Sequence, residues 1–208
     1  GSSDNCSFTR TISKSTFNCS NLGVNTVTLT ITDASGNSSN CNATVTVVDA
    51  IAPVAQCKNV ILILNASGNA TLAVADINNG STDNCGITSM TLSKTNFTCA
   101  NVGSNTVTLT VKDAAGNTSQ CTATVTIKDL IPPTAICKPA TIYLDSFGNA
   151  TLAPADVNNG SSDNCGPVSL SLSKTSFTCS DVVTNPNSVI LTVTDTAGNA
   201  STCSTTVT

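Results

Sequence analysis

Apolar and polar residues alternate strictly along much of this chain. In "TVTLTV", Val107, Leu109 and Val111 face one way while Thr106, Thr108 and Thr110 face the other, the period of two that marks a half-buried strand. The same reading predicts strands at Val60–Leu64, Ala70–Val74, Thr88–Leu92, Thr106–Val111 and Thr122–Ile127. Between them lie turn formers, "NASGNA", "DINNGSTDNCG" and "DAAGNTS". No helical period is visible, so the pattern points to a small antiparallel sandwich with a threonine-covered outer face.

The strand pattern repeats. Cys57, Cys85, Cys99 and Cys121 recur as Cys137, Cys165, Cys179 and Cys203, at shifts of 80, 80, 80 and 82 residues. Cys6, Cys19 and Cys41 match Cys85, Cys99 and Cys121 at shifts of 79, 80 and 80. Whole phrases travel with them, such as "LSKTNFTC" with "LSKTSFTC". The chain therefore divides into a partial repeat at 1–49 that lacks its first strands, a complete repeat at 50–129 and another at 130–208. Gly1 corresponds to Gly160, so the chain opens inside its own repeat, and further 80-residue units are expected upstream of Gly1 and downstream of Thr208. The joints "DAIAP" and "DLIPP" end a strand on Asp and follow it with proline, which makes them short and stiff.

Composition narrows the function. The 208 residues hold 11 Cys, no His and no Trp, and their 12 acidic residues are all Asp. Cysteines without a CxxC pair or histidine argue against zinc and for disulfides formed in an oxidising compartment. Eight scattered Lys and Arg against a formal charge of −4 exclude nucleic acid as a partner. No apolar run approaches the roughly 20 residues of a membrane span. A Ser or Cys nucleophile has no His or Glu to serve as its base, and no aromatic cluster lines a sugar cleft, so the chain reads as non-catalytic.

The run from Phe97 through "NVGSNTVTLTVKDAAGNTSQCTATVTIKD", with repeat starts "APVAQC" and "PPTAIC", resembles the HYR (hyalin repeat) domain, an immunoglobulin-like module. The "STDNCG…FTC" pattern is similar to serial variants in very large secreted proteins of Bacteroidetes-type bacteria. The resemblance implies an all-β fold of tandem immunoglobulin-like sandwiches in a linear, disulfide-stapled array, located outside the cell or on its surface. It departs from the family in the additional pair represented by Cys85 and Cys99, and in Lys58 and Lys138 where proline usually follows the first cysteine.

Four cysteines per repeat allow three connectivities. The immunoglobulin-like resemblance sets the first and last strands side by side and favours Cys57 with Cys121, Cys85 with Cys99, Cys137 with Cys203 and Cys165 with Cys179. In the partial repeat it gives Cys6 with Cys19 and leaves Cys41 unpaired, whereas a Cys19–Cys41 pair would instead orphan Cys6.

Aspartates are the remaining chemistry. Tracing strands alternately puts the loop with Asp76, Asp83 and Asn84, the loop with Asp113 and Asn117, and the linker residue Asp49 at one pole. Asp129, Asp156, Asp163, Asn164, Asp195 and Asn199 recur one repeat later. Oxygen-only sets of this kind suit a hard cation, and calcium at Asp49, Asp83 and Asp113 and at Asp129, Asp163 and Asp195 is the expected ion. The competing reading is that these are ordinary turn and strand-end residues. Twelve positions fit the N-glycosylation triplet: Asn5, Asn18, Asn37, Asn42, Asn65, Asn69, Asn79, Asn96, Asn117, Asn149, Asn159 and Asn199.

Near-identity of the repeats favours a structural role, as the unit of an extracellular filament, fibre or stalk whose partners are neighbouring repeats and further copies. The alternative is an adhesin whose repeats bind glycans or cell surfaces by weak multivalent contacts.

Overall fold

The computed structural model describes residues 2–208; Gly1, matched above to Gly160, lies outside them. The structure is predominantly β, as expected. In the first repeat, β1 (Phe8–Ile12), β2 (Gly23–Asp33) and β3 (Ser38–Val47) form an antiparallel sheet in that order. The second repeat contains β4 (Val60–Ile63), β5 (Asn69–Thr71), β6 (Ile87–Leu92), β7 (Asn96–Thr98), β8 (Gly103–Asp113) and β9 (Thr118–Lys128). They make a sheet of order β4-β9-β8-β6 and a two-stranded β5-β7 ribbon. The third repeat contains β10 (Asn149–Thr151), β11 (Ser169–Leu172), β12 (Ser176–Thr178), β13 (Asn187–Thr194) and β14 (Ala200–Val207), ordered β11-β13-β14 with a β10-β12 ribbon.

The first and last strands of the second repeat run parallel, with Val60 opposite Val125. In the third repeat this pairing shrinks to a parallel bridge between Ala140 and Val207. Two departures from the expected strands are local. Val74 begins a helical turn, Val74–Ile77, instead of ending a strand, because the Asp76 carboxylate accepts the Ala73 N–H at 2.7 Å and caps the turn while Ile77 is buried. The short strand at Phe97 is too brief for a periodicity to reveal it.

The chain packs as two compact units, and their borders fall inside the second repeat. The first gathers Gly1–Cys57, Ile77–Ser93 and Thr108–Thr122; the second gathers Lys58–Asp76, Lys94–Val107 and Ala123–Thr208. Each unit thus encloses one joint between consecutive repeats.

Their cores differ. The second unit buries Leu64, Leu72, Phe97, Val107, Val125 and Ile127, together with a cluster of Leu152, Val157, Phe177, Val189, Leu191, Val193 and Val207. Phe97 and Phe177 are its aromatic anchors, each covered by a lysine of the "SKTxF" phrase: Lys94 Nζ sits 4.9 Å and Lys174 Nζ 4.7 Å from the ring centroid. In the first unit Leu109 and Val111 of β8 are fully buried, while their counterparts Leu29 and Ile31 on β2 are only half-buried. No strands corresponding to β4 and β5 cover them among the described residues.

The difference sets an expectation for two equivalent leucines in one unit. Leu109→Ala should lower the unit's stability by about 2–5 kcal/mol, the usual range for a buried leucine, and Leu29→Ala by clearly less. Native-state hydrogen exchange of the first unit would read both; equal losses would contradict this account of the thin first repeat.

Candidate metal centre and joint cysteines

Each compact unit brings three aspartates together. Asp49, Asp83 and Asp113 offer carboxylate oxygens all within 4.8 Å of one another, and Asp129, Asp163 and Asp195 repeat the arrangement. Asp49 and Asp113 are 7% and 1% exposed, Asp129 and Asp195 4% and 7%. The chain delivers these groups from the linker, the Asp-Asn-Cys loop and the hairpin turn after the long central strand.

Their roles are not equal. The hairpin aspartate is consumed by its own turn: Asp113 Oδ1 accepts the Gly116 and Asn117 N–H groups at 2.7 and 2.8 Å, and Oδ2 accepts Asn117 Nδ2 at 2.7 Å. Burial pushes the Asp113 carboxyl up, but donation from the Asn117 side chain and from neighbouring backbone N–H groups outweighs it and holds the group below the ordinary value. Asn117 Nδ2 also reaches the Asp49 carbonyl at 3.1 Å, tying the turn to the linker, as Asn199 Nδ2 ties to the Asp129 carbonyl at 3.2 Å. The amides of Asn117 and Asn199 are therefore engaged inside the fold, although both fit the glycosylation triplet.

The other two aspartates leave oxygens unpartnered. Asp49 Oδ1 accepts the Ile51 N–H at 3.0 Å, and Asp83 Oδ2 accepts the Cys85 N–H at 2.8 Å, but Asp49 Oδ2 and Asp83 Oδ1 are buried with no hydrogen bond. Asp129 Oδ2 and Asp163 Oδ1 repeat this, joined by Asn164 Oδ1. Among the described residues the one ion pair, Lys174 with Asp181, lies elsewhere. Two unit charges about 5 Å apart repel by roughly 3 kcal/mol even at an effective dielectric near 20. Carboxylates gathered without a protein cation, with bare oxygens turned inward, form a donor set that a hard cation fits.

Asp76 and Asp156, expected at the same pole, are not part of either cluster. Each caps its helical turn instead, Asp156 accepting the Ala153 N–H at 2.8 Å.

The cysteines require a larger correction. Cys57 bonds Cys121 and Cys137 bonds Cys203, both within a repeat, with Cα–Cα distances of 5.8 and 6.0 Å. The expected Cys85–Cys99, Cys165–Cys179 and Cys6–Cys19 pairs do not form. Cys85 bonds Cys19 and Cys99 bonds Cys165, each crossing from one repeat to the next, with Cα–Cα distances of 5.2 and 5.1 Å. Cys6, Cys41 and Cys179 are free and exposed. The packing units separate Cys85, in the first, from Cys99, in the second, while each crossing pair shares one unit; Cys19 and Cys165 are taken by those crossing bonds, which leaves Cys6 and Cys179 without the partners expected for them. At the second joint, Gly68 at φ +71 makes room for the bridge, since a Cβ there would come within 2.5 Å of Cys99 Sγ and 3.1 Å of the Asn164 carbonyl.

The Asp-x-x-x-Asn turn recurs in the first repeat, where Asp33 belongs to no aspartate cluster among the described residues. Asp33 Oδ1 accepts the Ser35 and Asn37 N–H groups at 2.8 Å each, and the Asn37 side chain, the largest influence, holds the Asp33 carboxyl below its ordinary 3.8. Ionised Asp33 therefore favours the folded turn above that value, and the contribution is lost as pH falls through the lower folded value. An NMR carboxyl titration should find Asp33 below 3.8 and Asn37→Ala moving it up towards 3.8; an unmoved titration would refute the assignment.

Among solved structures the chain is similar to the protocadherin gammaB4 extracellular domain, at 18% identity and TM-score 0.41 over 99% of this chain and 42% of that one. It is also similar to human CDH23 EC21–23, at 15% identity and TM-score 0.44 over 89% of this chain and 74% of that one. Titin domains I67–I69 match at 11% identity and TM-score 0.38 over 89% and 74%. No curated protein matches the chain. The HYR domain family matches residues 48–127, and an HYR domain is present there.

Proposed function

We propose that the chain is a structural segment of an extracellular filament or cell-surface stalk, built from HYR-type repeats whose joints are locked covalently and stiffened by a cation. The serial Asp-Asn-Cys loops that align it with the Bacteroidetes-type variants are the parts that make the joints. The observation that carries this reading is the pair of repeat-crossing bridges, Cys19–Cys85 and Cys99–Cys165, both at a separation of 66 residues. Structural disulfides of this density belong to oxidising compartments outside the cytosol.

The crossing bridges create a covalent shortcut. From Cys19 a continuous bonded path passes to Cys85, along the 14 steps from residue 85 to residue 99, and across to Cys165. Backbone under tension between residues 19 and 165 therefore reaches its limit after those 14 steps plus two disulfides, about 50 Å of extended chain at up to ~3.6 Å per residue. With Cys57–Cys121 as the sole remaining bridge the path would be 38 steps to Cys57 and 44 from Cys121, about 295 Å, and with every bridge reduced all 146 steps from residue 19 to residue 165 extend, to about 525 Å. A repeat that unfolds can lengthen the molecule by no more than its short segment between two bridges, which is the property a stalk requires and a binding module does not.

Single-molecule pulling between residues 19 and 165 tests the reading. The oxidised chain should stop within roughly 50–60 Å of contour and the reduced chain should release most of the longer length. Equal extension in both states would rule out a load-bearing role for the bridges.

Calcium is the ion proposed for the aspartate clusters. Millimolar calcium should raise the melting temperature of the 208-residue chain, and chelator should reverse it. Asp49→Asn with Asp129→Asn should abolish the calcium increment while leaving the chelated protein as stable as before or more so, since a repelling charge is removed from each cluster. Loss of stability in chelator with an intact calcium response would instead mark these residues as turn formers.

A further inference from the structure

Each joint uses two parts, a cysteine from one repeat and an Asp-Asn-Cys loop from the next, and at the second joint a glycine also cradles that cysteine. At the second joint the cradled residue is Cys99, whose Sγ lies 3.6 Å from the Gly68 carbonyl and 3.4 Å from the Asn164 carbonyl of the incoming loop. That loop reads "GSSDNC" over residues 160–165, and Asp163 Oδ2 fixes Cys165 by accepting its N–H at 2.8 Å.

Both parts are present, unjoined, elsewhere in the chain. Cys179 occupies the position of Cys99 in the third repeat and carries the same cradle: Gly148 has φ +79, and a Cβ on it would lie 2.7 Å from Cys179 Sγ, against 2.5 Å for Gly68 and Cys99. Residues 1–6 are again "GSSDNC", and Asp4 Oδ2 already accepts the Cys6 N–H, at 3.4 Å. Both thiols are free and exposed. Exposed apolar side chains lie close by along the chain: Phe147, next to Gly148, is 88% exposed, Val183, just after the helical turn Cys179–Val182, is 87% exposed, and Tyr143, which lines a cavity with Thr178, is 86% exposed. Two equivalent pairs in the same molecule are bonded, so the geometry these halves adopt when they meet is already on view.

We infer that Cys179 of one copy bonds Cys6 of a second copy, joining chains head to tail by the same bridge that joins repeats within the chain. The two thiols lose two protons and two electrons to a disulfide oxidant, which is reduced to two thiols, and one S–S bond forms between the chains. The bond would carry the covalent shortcut onward, from Cys165 over the 14 steps to Cys179, into the next copy at Cys6 and over the 13 steps to its Cys19. The inference rests on the stapled-array reading above.

The test oxidises the full chain, in a Cys41→Ser background that removes the third free thiol, with glutathione disulfide. A denaturing, non-reducing gel should show a ladder in multiples of 20.9 kDa that collapses on reduction, and peptide mapping should recover Cys6 linked to Cys179. Mixing Cys6→Ser with Cys179→Ser chains should stop the ladder at dimers, and Gly148→Ala should suppress it by crowding Cys179. The wild-type chain, mapped in parallel, should contain the same Cys6–Cys179 peptide. Monomers only, a monomer closed by its own Cys6–Cys179 bond, or Cys6–Cys6 and Cys179–Cys179 dimers would overturn the coupling. If Cys19–Cys85 and Cys99–Cys165 are mapped in those failed cases, the stapled array survives alone; if they too are missing, the array reading falls with it.

Discussion

The constraint on which the rest of the structure depends is the interleaving of disulfides across repeats. The sequence spans of the four bridges overlap in succession: 19–85 with 57–121, 57–121 with 99–165, and 99–165 with 137–203. By chain-entropy scaling, a bridge that closes a loop of this size removes roughly 4 kcal/mol from the unfolded state's advantage, and overlapping loops are not independent. That is large beside the total stability of an ordinary domain. It also explains how a chain with 3% aromatic residues and a threonine-covered outer face holds its fold, since the core alone supplies little. The packing units follow the same logic: each encloses a crossing bridge and one bridge inside a repeat.

The aspartate clusters belong to this design because one loop builds both features. Asp83 uses Oδ2 to hold the N–H of Cys85, the residue bonded to Cys19, and leaves Oδ1 buried without a hydrogen bond; Asp163 does the same for Cys165. Orienting the bridge therefore places a carboxylate where it meets the linker and hairpin aspartates. On the proposed reading, a cation drawn to that cluster and a disulfide formed at that loop would each favour the conformation the other needs, coupling ion binding to joint closure.

The sheet and the clusters were legible in the sequence for physical reasons. Alternation at Val107, Leu109 and Val111 reports burial directly, and all three are fully buried. Asp49, Asp83 and Asp113 could be placed together because strands that alternate in direction return loops to a shared pole. Asp76 defeated that reasoning, since a one-turn helix is too short to show a period and its cap looks like any loop aspartate. The crossing bridges were hidden by the repeat itself. When a sequence is translated by 80 residues onto itself, a bond from Cys99 to Cys85 and a bond from Cys99 to Cys165 leave the same pattern of spacings. The glycine at 68 and 148 was a usable signal, because a residue required to be small opposite Cys99 and Cys179 marks a close approach that the strand pattern does not account for.

On the structural reading, translational symmetry is also what allows weak repeats to make a strong array. If each repeat closed only its own cysteines, a bridge such as Cys57–Cys121 would bypass the residues it encloses, but the backbone that joins one repeat to the next would carry the tension without a covalent bypass. Because the load path leaves each repeat after a short segment between two bridges, a repeat can lose its fold without releasing its full length. On that reading the array depends most on the joint: the Asp-Asn-Cys loop, the glycine that admits the sulfur and the linker aspartate. The strand faces are left free to drift among threonine, serine and asparagine so long as alternation persists. The one place where the third repeat changes length, the "SDVVTNPNSV" segment, lies after Cys179 and outside the 14-step segment from Cys165 to Cys179 that would carry the load, so the insertion leaves the covalent path unchanged.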